Sequence, residues 1–408
     1  MPSCRFCAAP LSFEFVDLGA TPLANSYLPM TEEARAAEKS FPLRVMVCTE
    51  CWLVQTTETV PADEIFAPDY AYLSSFSSGW VAHARAYAEA MQARFSLGPG
   101  SKVVEIASND GYLLQWFVKA GIPVLGVEPA AHAATLAEEK GAPTRVAFFG
   151  EATAEELRAE GHGADLMAAN NVLAHVPDIR DFAQGFAVLL KPQGVATFEF
   201  PHLACLIRDC QFDTIYHEHY SYLSLVFVER LFGEVGLEVF DVERLPTHGG
   251  SLRLFVGHAG AHTPTVAVAD LRAEEAAMGL ASPAPYAQFA PRVAALTGGL
   301  RDFIRTARDA GNTVAGYGAP AKGNTFLNVA GLTAADIAFT VDRNPEKQGM
   351  LLPGSHIPVH PPERIAEARP DYLLILPWNI ADEVMAQQAI LRDWGGQFVV
   401  AAPELRIF

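Results

Sequence analysis

Residues 102–130 read KVVEIASNDGYLLQWFVKAGIPVLGVEPA, and this stretch decides the fold. Val103 to Ile106 is a short apolar run of the kind buried on both faces of a parallel sheet, broken by one carboxylate, Glu105. Asn109, Asp110 and Gly111 form a turn, Leu113, Leu114 and Phe117 mark a helix face, and residues 123–130 hold a second strand ending in Glu128. The order is β-α-β. A small-residue turn after the first strand lets backbone N–H groups approach a ligand at a helix N-terminus, and an acid about 20 residues on suits a ribose diol. Glu128 lies 17 residues past Gly111.

The pattern continues outward on both sides. Trp80 to Phe95 reads as an amphipathic helix leading into the unit. Further strands are expected at Arg145 to Phe149, Ala164 to Ala169 and Gly194 to Phe200, with helices at Gly185 to Leu190 and Val226 to Val235. Leu237 to Leu245 reads as a strand, and THGGSLRLFV as a glycine-turned strand returning to the sheet. A dinucleotide fold would carry G-x-G-x-x-G, whereas residues 105–111, EIASNDG, keep only the last glycine. The turn instead resembles the first motif of class I S-adenosylmethionine methyltransferases, E/D-x-G-x-G-x-G, with Ala107 and Asn109 in place of two glycines. That resemblance implies that Glu105 and the turn residues Ser108, Asn109, Asp110 and Gly111 hold the methionine end. It implies that Glu128 holds the ribose hydroxyls, and that Asn170 and Asn171, at the end of the fourth strand, face the reacting sulfonium.

Chemistry is concentrated at Phe212 to Leu225, FDTIYHEHYSYLSL, where Tyr216, His217, Glu218, His219, Tyr220 and Tyr222 stand almost side by side in a chain with 12 His and 11 Tyr. Buried polar tips each need a partner, so such a density points to proton transfer rather than packing. A helix here would put Tyr216, His219 and Tyr220 on one face; an extended chain would pair His217 with His219. The helical arrangement is the expected one. A second metal site at His217 and His219 would lack a third ligand nearby, and Cys205 and Cys210 read as half-buried thiols.

Cys4-x-x-Cys7 and Cys48-x-x-Cys51 are paired knuckles, each offering two corners of a tetrahedron, as a closed structural zinc site requires. A redox dithiol would account for one knuckle but not the second. Near the other end, NTVAGYG from Asn312 reads as a strand, followed by a turn into a helix at Lys322, Gly323 and Asn324 and by strands at AFTVDRN and DYLLILPWN. The Gly316-Tyr-Gly318 turn and the Lys322 ammonium suit a diphosphate. Residues from about Thr263 to Ala310 read as joining helices.

The chain has 408 residues, half of them apolar, with no run approaching a membrane span and no secretory n-region or h-region at MPSCRFCAAP. A cytoplasmic protein without membrane contact is expected. Its net charge of −18 argues against nucleic acid and anionic lipid as partners.

Paired CxxC knuckles, DYAYLSSF, VVEIASNDGYLL, NNVLAHV, TIYHEHYSYLSL, THGGSLR and GYGAPAKGNT, in that order, resemble the sugar C-methyltransferases of antibiotic deoxysugar pathways, such as the tetronitrose and mycarose enzymes. The resemblance runs along nearly the whole chain. It implies an α/β protein with a small zinc-binding domain (1–65), a central class I methyltransferase domain (66–260), a helical connection (261–310) and a C-terminal Rossmann-like domain that binds the sugar nucleotide (311–408). It also implies methylation of a dTDP-4-keto sugar at the carbon beside the ketone. Such a C–H loses its proton only if the carbanion becomes an enolate, so a base and an oxyanion donor must lie close together. By the resemblance His219 is the base, with Tyr216, Glu218 and Tyr70 around the sugar. Tyr216 suits the oxyanion donor, and Glu218 is placed to orient His219 as a triad carboxylate does. His175, Tyr222, Lys322 and Asn324 complete the expected substrate contacts, with His217 and His175 as alternative bases. Oligomeric state stays open, a monomer being compatible with everything above.

Overall fold

The computed structural model of the protein describes residues 2–57 and 73–408. Tyr70 and Tyr72 lie outside the described residues.

Val103–Ile106 and Val124–Val127 are adjacent parallel strands with Glu105 opposite Gly126, and the helix Leu114–Lys119 connects them. All residues of both strands are buried, as their near-continuous apolar sequence requires when both faces of a sheet are covered. They belong to a seven-stranded sheet whose order is Leu237–Leu245, Ser251–His258, Leu190–Pro201, Ala164–Asn170, Val103–Ile106, Val124–Val127 and Thr144–Arg145. Five strands from Leu190–Pro201 onward run parallel, and the hairpin 237–258 closes the other edge antiparallel. The strand expected at 145–149 is instead Thr144–Arg145. Its neighbour ends at Val127, opposite Arg145, so Val146 and Phe148 find no ladder and stay exposed. Side chains cap the starts of three helices: Ser77 accepts from Trp80, Asp178 from Asp181 and Ser224 from Phe227, each through the backbone N–H.

The N-terminal sheet holds a feature that the linear sequence hid. Phe13–Thr21, Phe41–Val47 and Val54–Thr56 form an antiparallel ladder whose fourth strand is Ser221–Tyr222, taken from the histidine-rich stretch. That stretch is therefore not the expected helix. It is a single helical turn at Phe212–Thr214, an irregular loop over 215–220, and then the short strand. Pairing with Val54–Thr56 supplies backbone partners that a helix would have had to supply internally.

Helices Val266–Met278 and Phe289–Asp309 join the central unit to the C-terminal one. The first carries Glu275, fully buried, whose carboxylate accepts from the Leu225 and Val226 N–H groups at 2.8 and 2.9 Å and from His202 Nε2 at 2.7 Å. An anion at the start of helix Leu225–Glu234 satisfies orphan donors and complements the dipole. The C-terminal sheet runs Val359–His360, Thr340–Val341, Val314–Tyr317, Tyr372–Ile375, Gln397–Val400 and Arg406–Ile407, parallel but for the last strand. Phe15, Phe212, Tyr222, Phe289 and Phe326 share one apolar core, so the N-terminal sheet, the histidine-rich stretch and the C-terminal unit are packed together. Among the described residues, no helix is long and apolar enough to cross a membrane.

Candidate active site and metal centre

The turn after Val103–Ile106 carries Ala107, Asn109 and Gly111 at φ of 54°, 49° and 74°. These are the positions where the methyltransferase motif has glycine, so the chain keeps the turn and accepts strain of about 1–2 kcal/mol per non-glycine residue, less at asparagine. Gly111 is constrained on a second count, because a Cβ there would stand 3.0 Å from the Ala137 backbone. Glu128 braces the turn by accepting from the Asn109 and Ala130 N–H groups, both at 2.9 Å. Burial nevertheless pushes its carboxyl above the usual range. Asp110 pairs with Lys140 at 2.9 Å, and Asn109 Oδ1 accepts from the Ser74 N–H at 2.8 Å. Ser108 is fully buried against Gly126, where a Cβ would come within 2.4 Å of its hydroxyl, so it packs on the neighbouring strand.

At the carboxyl ends of these strands sits a set of buried acceptors without a hydrogen-bond partner: both Glu105 oxygens, Asp110 Oδ1, Asn170 Oδ1 and Asn171 Oδ1. Burial holds the Glu105 carboxyl well above the carboxylate range, with the Tyr112 hydroxyl opposing. These unsatisfied acceptors suit a ligand bearing an ammonium group and hydroxyls, as the methionine and ribose ends of S-adenosylmethionine do.

Across from the turn lies the loop 215–220. His219 is 8% exposed, and its Nδ1 is 2.7 Å from the Thr214 carbonyl. Facing a carbonyl, Nδ1 must donate, which leaves the lone pair on Nε2. Burial, reinforced by His175, His248 and Lys322, holds the imidazole well below its usual pKa and therefore neutral. The Tyr216 ring lies 4.0 Å from the His219 ring, brought there by a His219 N–H bond to the Tyr216 carbonyl, and the His175 ring crosses it at 4.6 Å. The Tyr222 ring is 6.3 Å away.

Glu218 does not hold His219. Its Oε1 accepts from the Asn25 amide at 3.0 Å, and the Thr214 carbonyl takes the orienting position expected of the carboxylate. His217 Nε2 donates to the Phe41 carbonyl at 3.1 Å, which ties it to the N-terminal sheet. His175 is pushed down to about 4 by burial and stays beside His219.

Several residues escaped sequence reasoning. His248, in THGGSLR, adopts φ 56° and stands 3.3 Å from the Asn171 amide through Nε2, with its ring 5.7 Å from Trp80. The preceding Thr247 donates to Glu199 at 3.0 Å, and the fully buried Glu199 also binds His83 at 2.9 Å and Arg253 at 2.8 Å. The paired glycines at 249 and 250, both with positive φ, were the available signal.

The C-terminal unit closes this face. Trp378 Nε1 donates to the fully buried Asp213 at 2.6 Å, and its ring lies where a Gly249 Cβ would come within 2.5 Å. Lys322 bonds Asn379 at 2.9 Å, stands over Trp378 at 5.0 Å, and has its pKa lowered by burial, with Asp213 opposing. The expected diphosphate cradle at Gly316-Tyr-Gly318 is filled: the Ala319 N–H goes to Asp342 at 2.7 Å, and Pro377 covers Gly318. Asn324 is fully buried and donates to the Ala24 carbonyl at 2.7 Å, so its amide ties two parts of the chain together.

At the other end of the N-terminal sheet, the sulfurs of Cys4, Cys7, Cys48 and Cys51 lie within 4.8 Å of one another, with Cys4–Cys51 at 3.6 Å and Cys7–Cys48 at 3.5 Å. Tetrahedral zinc with bonds of about 2.3 Å gives sulfur–sulfur edges of about 3.8 Å, so the four thiols fit the ion and leave no open position.

Known proteins agree with this layout. A zinc binding domain model matches residues 4–66, a methyltransferase domain model residues 80–242, and a C-methyltransferase C-terminal domain model residues 246–403. The chain is 39% identical to the C-methyltransferase NovU of Streptomyces niveus over 99% of its own length and 96% of that protein. A ubiquinone biosynthesis O-methyltransferase of Bartonella bacilliformis is 30% identical over 25% of the chain and 42% of its own length. With a cofactor turn, a four-cysteine centre and a relative matched from end to end, the chain belongs to the S-adenosylmethionine-dependent C-methyltransferase family.

Proposed function

We propose that the protein methylates a dTDP-linked 4-keto-deoxysugar at the carbon beside the ketone. The observation that carries this reading is the buried, neutral His219, its Nδ1–H spent on the Thr214 carbonyl and its Nε2 left with a lone pair beside Tyr216. Only a carbon nucleophile needs both a base for a weakly acidic C–H and a donor for the oxygen that receives its electrons.

Nε2 of His219 takes the proton from the ring carbon, and the C–H pair becomes the enolate double bond. The Tyr216 hydroxyl donates to the enolate oxygen. S-adenosylmethionine, when bound, supplies an electrophilic methyl group. Glu105 would receive the methionine ammonium, Glu128 the ribose hydroxyls, and Asn170 and Asn171 would face the sulfonium. Lys322 offers one fixed positive charge to the diphosphate, which lets an acidic protein bind an anionic substrate. Tyr222 and His175 would complete the sugar contacts, together with Tyr70, which lies outside the described residues and enters only through the resemblance. The domain limits that go with this reading are 1–65, 66–260, 261–310 and 311–408.

The test is product analysis. Incubation with S-adenosylmethionine bearing a carbon-13 methyl and a panel of dTDP-4-keto-6-deoxy sugars should give one new carbon–carbon coupling beside the ketone. A methyl resonance coupled only through oxygen or nitrogen, or no product across the panel, would refute it.

A further inference from the structure

The metal centre and the loop carrying His219 are joined through two residues, Gln55 and Arg5. Gln55 is 1% exposed. Its Nε2 donates to Cys4 Sγ at 3.1 Å, and its Oε1 accepts the Arg5 N–H at 2.9 Å, so the amide grips the first knuckle by a metal-ligand sulfur and by the residue after it. The backbone of the same residue pairs with Ser221, two positions after His219. On either side of that pair, Val54 faces Tyr222 and the Thr56 N–H donates to the Tyr220 carbonyl at 3.1 Å. Arg5, inside the knuckle, completes the link by donating to the Thr56 carbonyl at 2.7 Å and standing 5.3 Å over the Tyr220 ring.

A strand of two residues such as Ser221–Tyr222 cannot hold its register alone; three or more strands or an outside support are needed. Here the support is the strand Val54–Thr56, which leaves the second knuckle after only two residues, Trp52 and Leu53. A donor to a ligand sulfur is also the usual means by which a metal's surroundings orient its ligands. We infer that Gln55 is a positioning residue for methyl transfer: through it the closed metal centre fixes the register of Ser221–Tyr222 and hence the place of His219. The metal centre so acts on the reaction without touching substrate. The inference rests on the reading of His219 as the base.

Gln55→Met keeps the volume of the side chain and removes both hydrogen bonds. In the zinc-loaded full chain, amide hydrogen exchange at 214–222 and 54–57 should accelerate about ten-fold or more, while that of 103–127 stays unchanged. The variant should still hold one zinc per chain and bind S-adenosylhomocysteine with an unchanged Kd. Its kcat should fall by about 10- to 100-fold, the size of effect that a misplacement of about 1 Å produces. Gln55→Asn, a shortened amide, serves if the methionine variant does not fold. Graded removal of zinc from the unaltered protein should loosen the same two segments first. Unchanged exchange at 214–222, or equal acceleration across 103–127, would overturn the inference. His219→Asn separates the two readings: if it leaves turnover intact, the base assignment fails, whereas loosening of 214–222 by Gln55→Met would still report the mechanical link.

Discussion

In the proposed reaction His219 would be prepared as a base by its surroundings rather than by a carboxylate partner. A neutral imidazole with Nδ1–H held by a backbone carbonyl keeps Nε2 free, and exclusion of water keeps the ring from protonating. His219→Asn should therefore lower kcat by about 10²- to 10⁴-fold with S-adenosylmethionine affinity unchanged, checked by steady-state rates and calorimetry. Tyr216→Phe should cost about 10²- to 10³-fold if the phenol donates to the growing enolate oxygen. Because the folded His219 is held well below its ordinary pKa, kcat/KM should show no decline on passing from pH 7.5 through 6.5, the value at which an exposed histidine base would begin to fail. The same depression affects stability. The unfolded chain takes up protons as pH falls through about 6.5, whereas folded His175 and His248 do so only near about 4, so their contribution is intact above pH 6.5 and lost progressively below it. Thermal melts at pH 7.5 and 5 should show the lower Tm at pH 5. The meeting of Tyr216 and His219, though not their roles, was legible in the sequence because polar density without a packing purpose is conspicuous. Thr214 was not, since it acts through a backbone carbonyl that any residue would have.

At the scale of elements, the cofactor turn is the clearest case of local sequence dictating shape. Three left-handed positions alternate at 107, 109 and 111, and the motif was legible despite two substitutions because its flanking strand and helix were intact. Ala107→Gly should leave donor binding intact and stabilise the chain by up to about 1 kcal/mol in urea unfolding, since glycine relieves a left-handed alanine. Gly111→Ala should do the opposite, lowering both stability and S-adenosylmethionine affinity, because the new Cβ would meet the Ala137 backbone at 3.0 Å. The histidine-rich stretch went the other way. Its i, i+3 spacing suggested a helix, and Tyr216 and His219 do meet, but through one turn of a loop whose continuation pairs with a strand more than 160 residues earlier. No periodicity within a short window records such a partner.

The whole molecule assembles its site from three regions that are far apart in sequence. The central sheet holds the cofactor turn, the N-terminal sheet adopts the end of the loop carrying His219 as an edge strand, and the C-terminal unit lays Trp378 and Lys322 against Asp213 and Gly249. The succession of folding units was readable from alternating apolar runs and paired cysteines. How they face one another was not, because contacts such as Asn25 with Glu218 or Asn324 with Ala24 depend on packing across hundreds of residues. Lys322→Met should raise KM for the sugar nucleotide by about ten-fold, roughly the worth of one charge-assisted contact to phosphate, and leave S-adenosylmethionine affinity unaltered.

The central claim, that His219 removes a carbon-bound proton before the methyl group moves, is tested most directly by exchange in deuterated water. The protein, loaded with S-adenosylhomocysteine so that transfer is blocked, would be incubated with a dTDP-4-keto-6-deoxy sugar and the substrate followed by proton NMR. The account predicts deuterium at the carbon beside the ketone with the native protein and none above background with His219→Asn. Equal exchange in both, or exchange in neither while the native protein still methylates carbon, would contradict it.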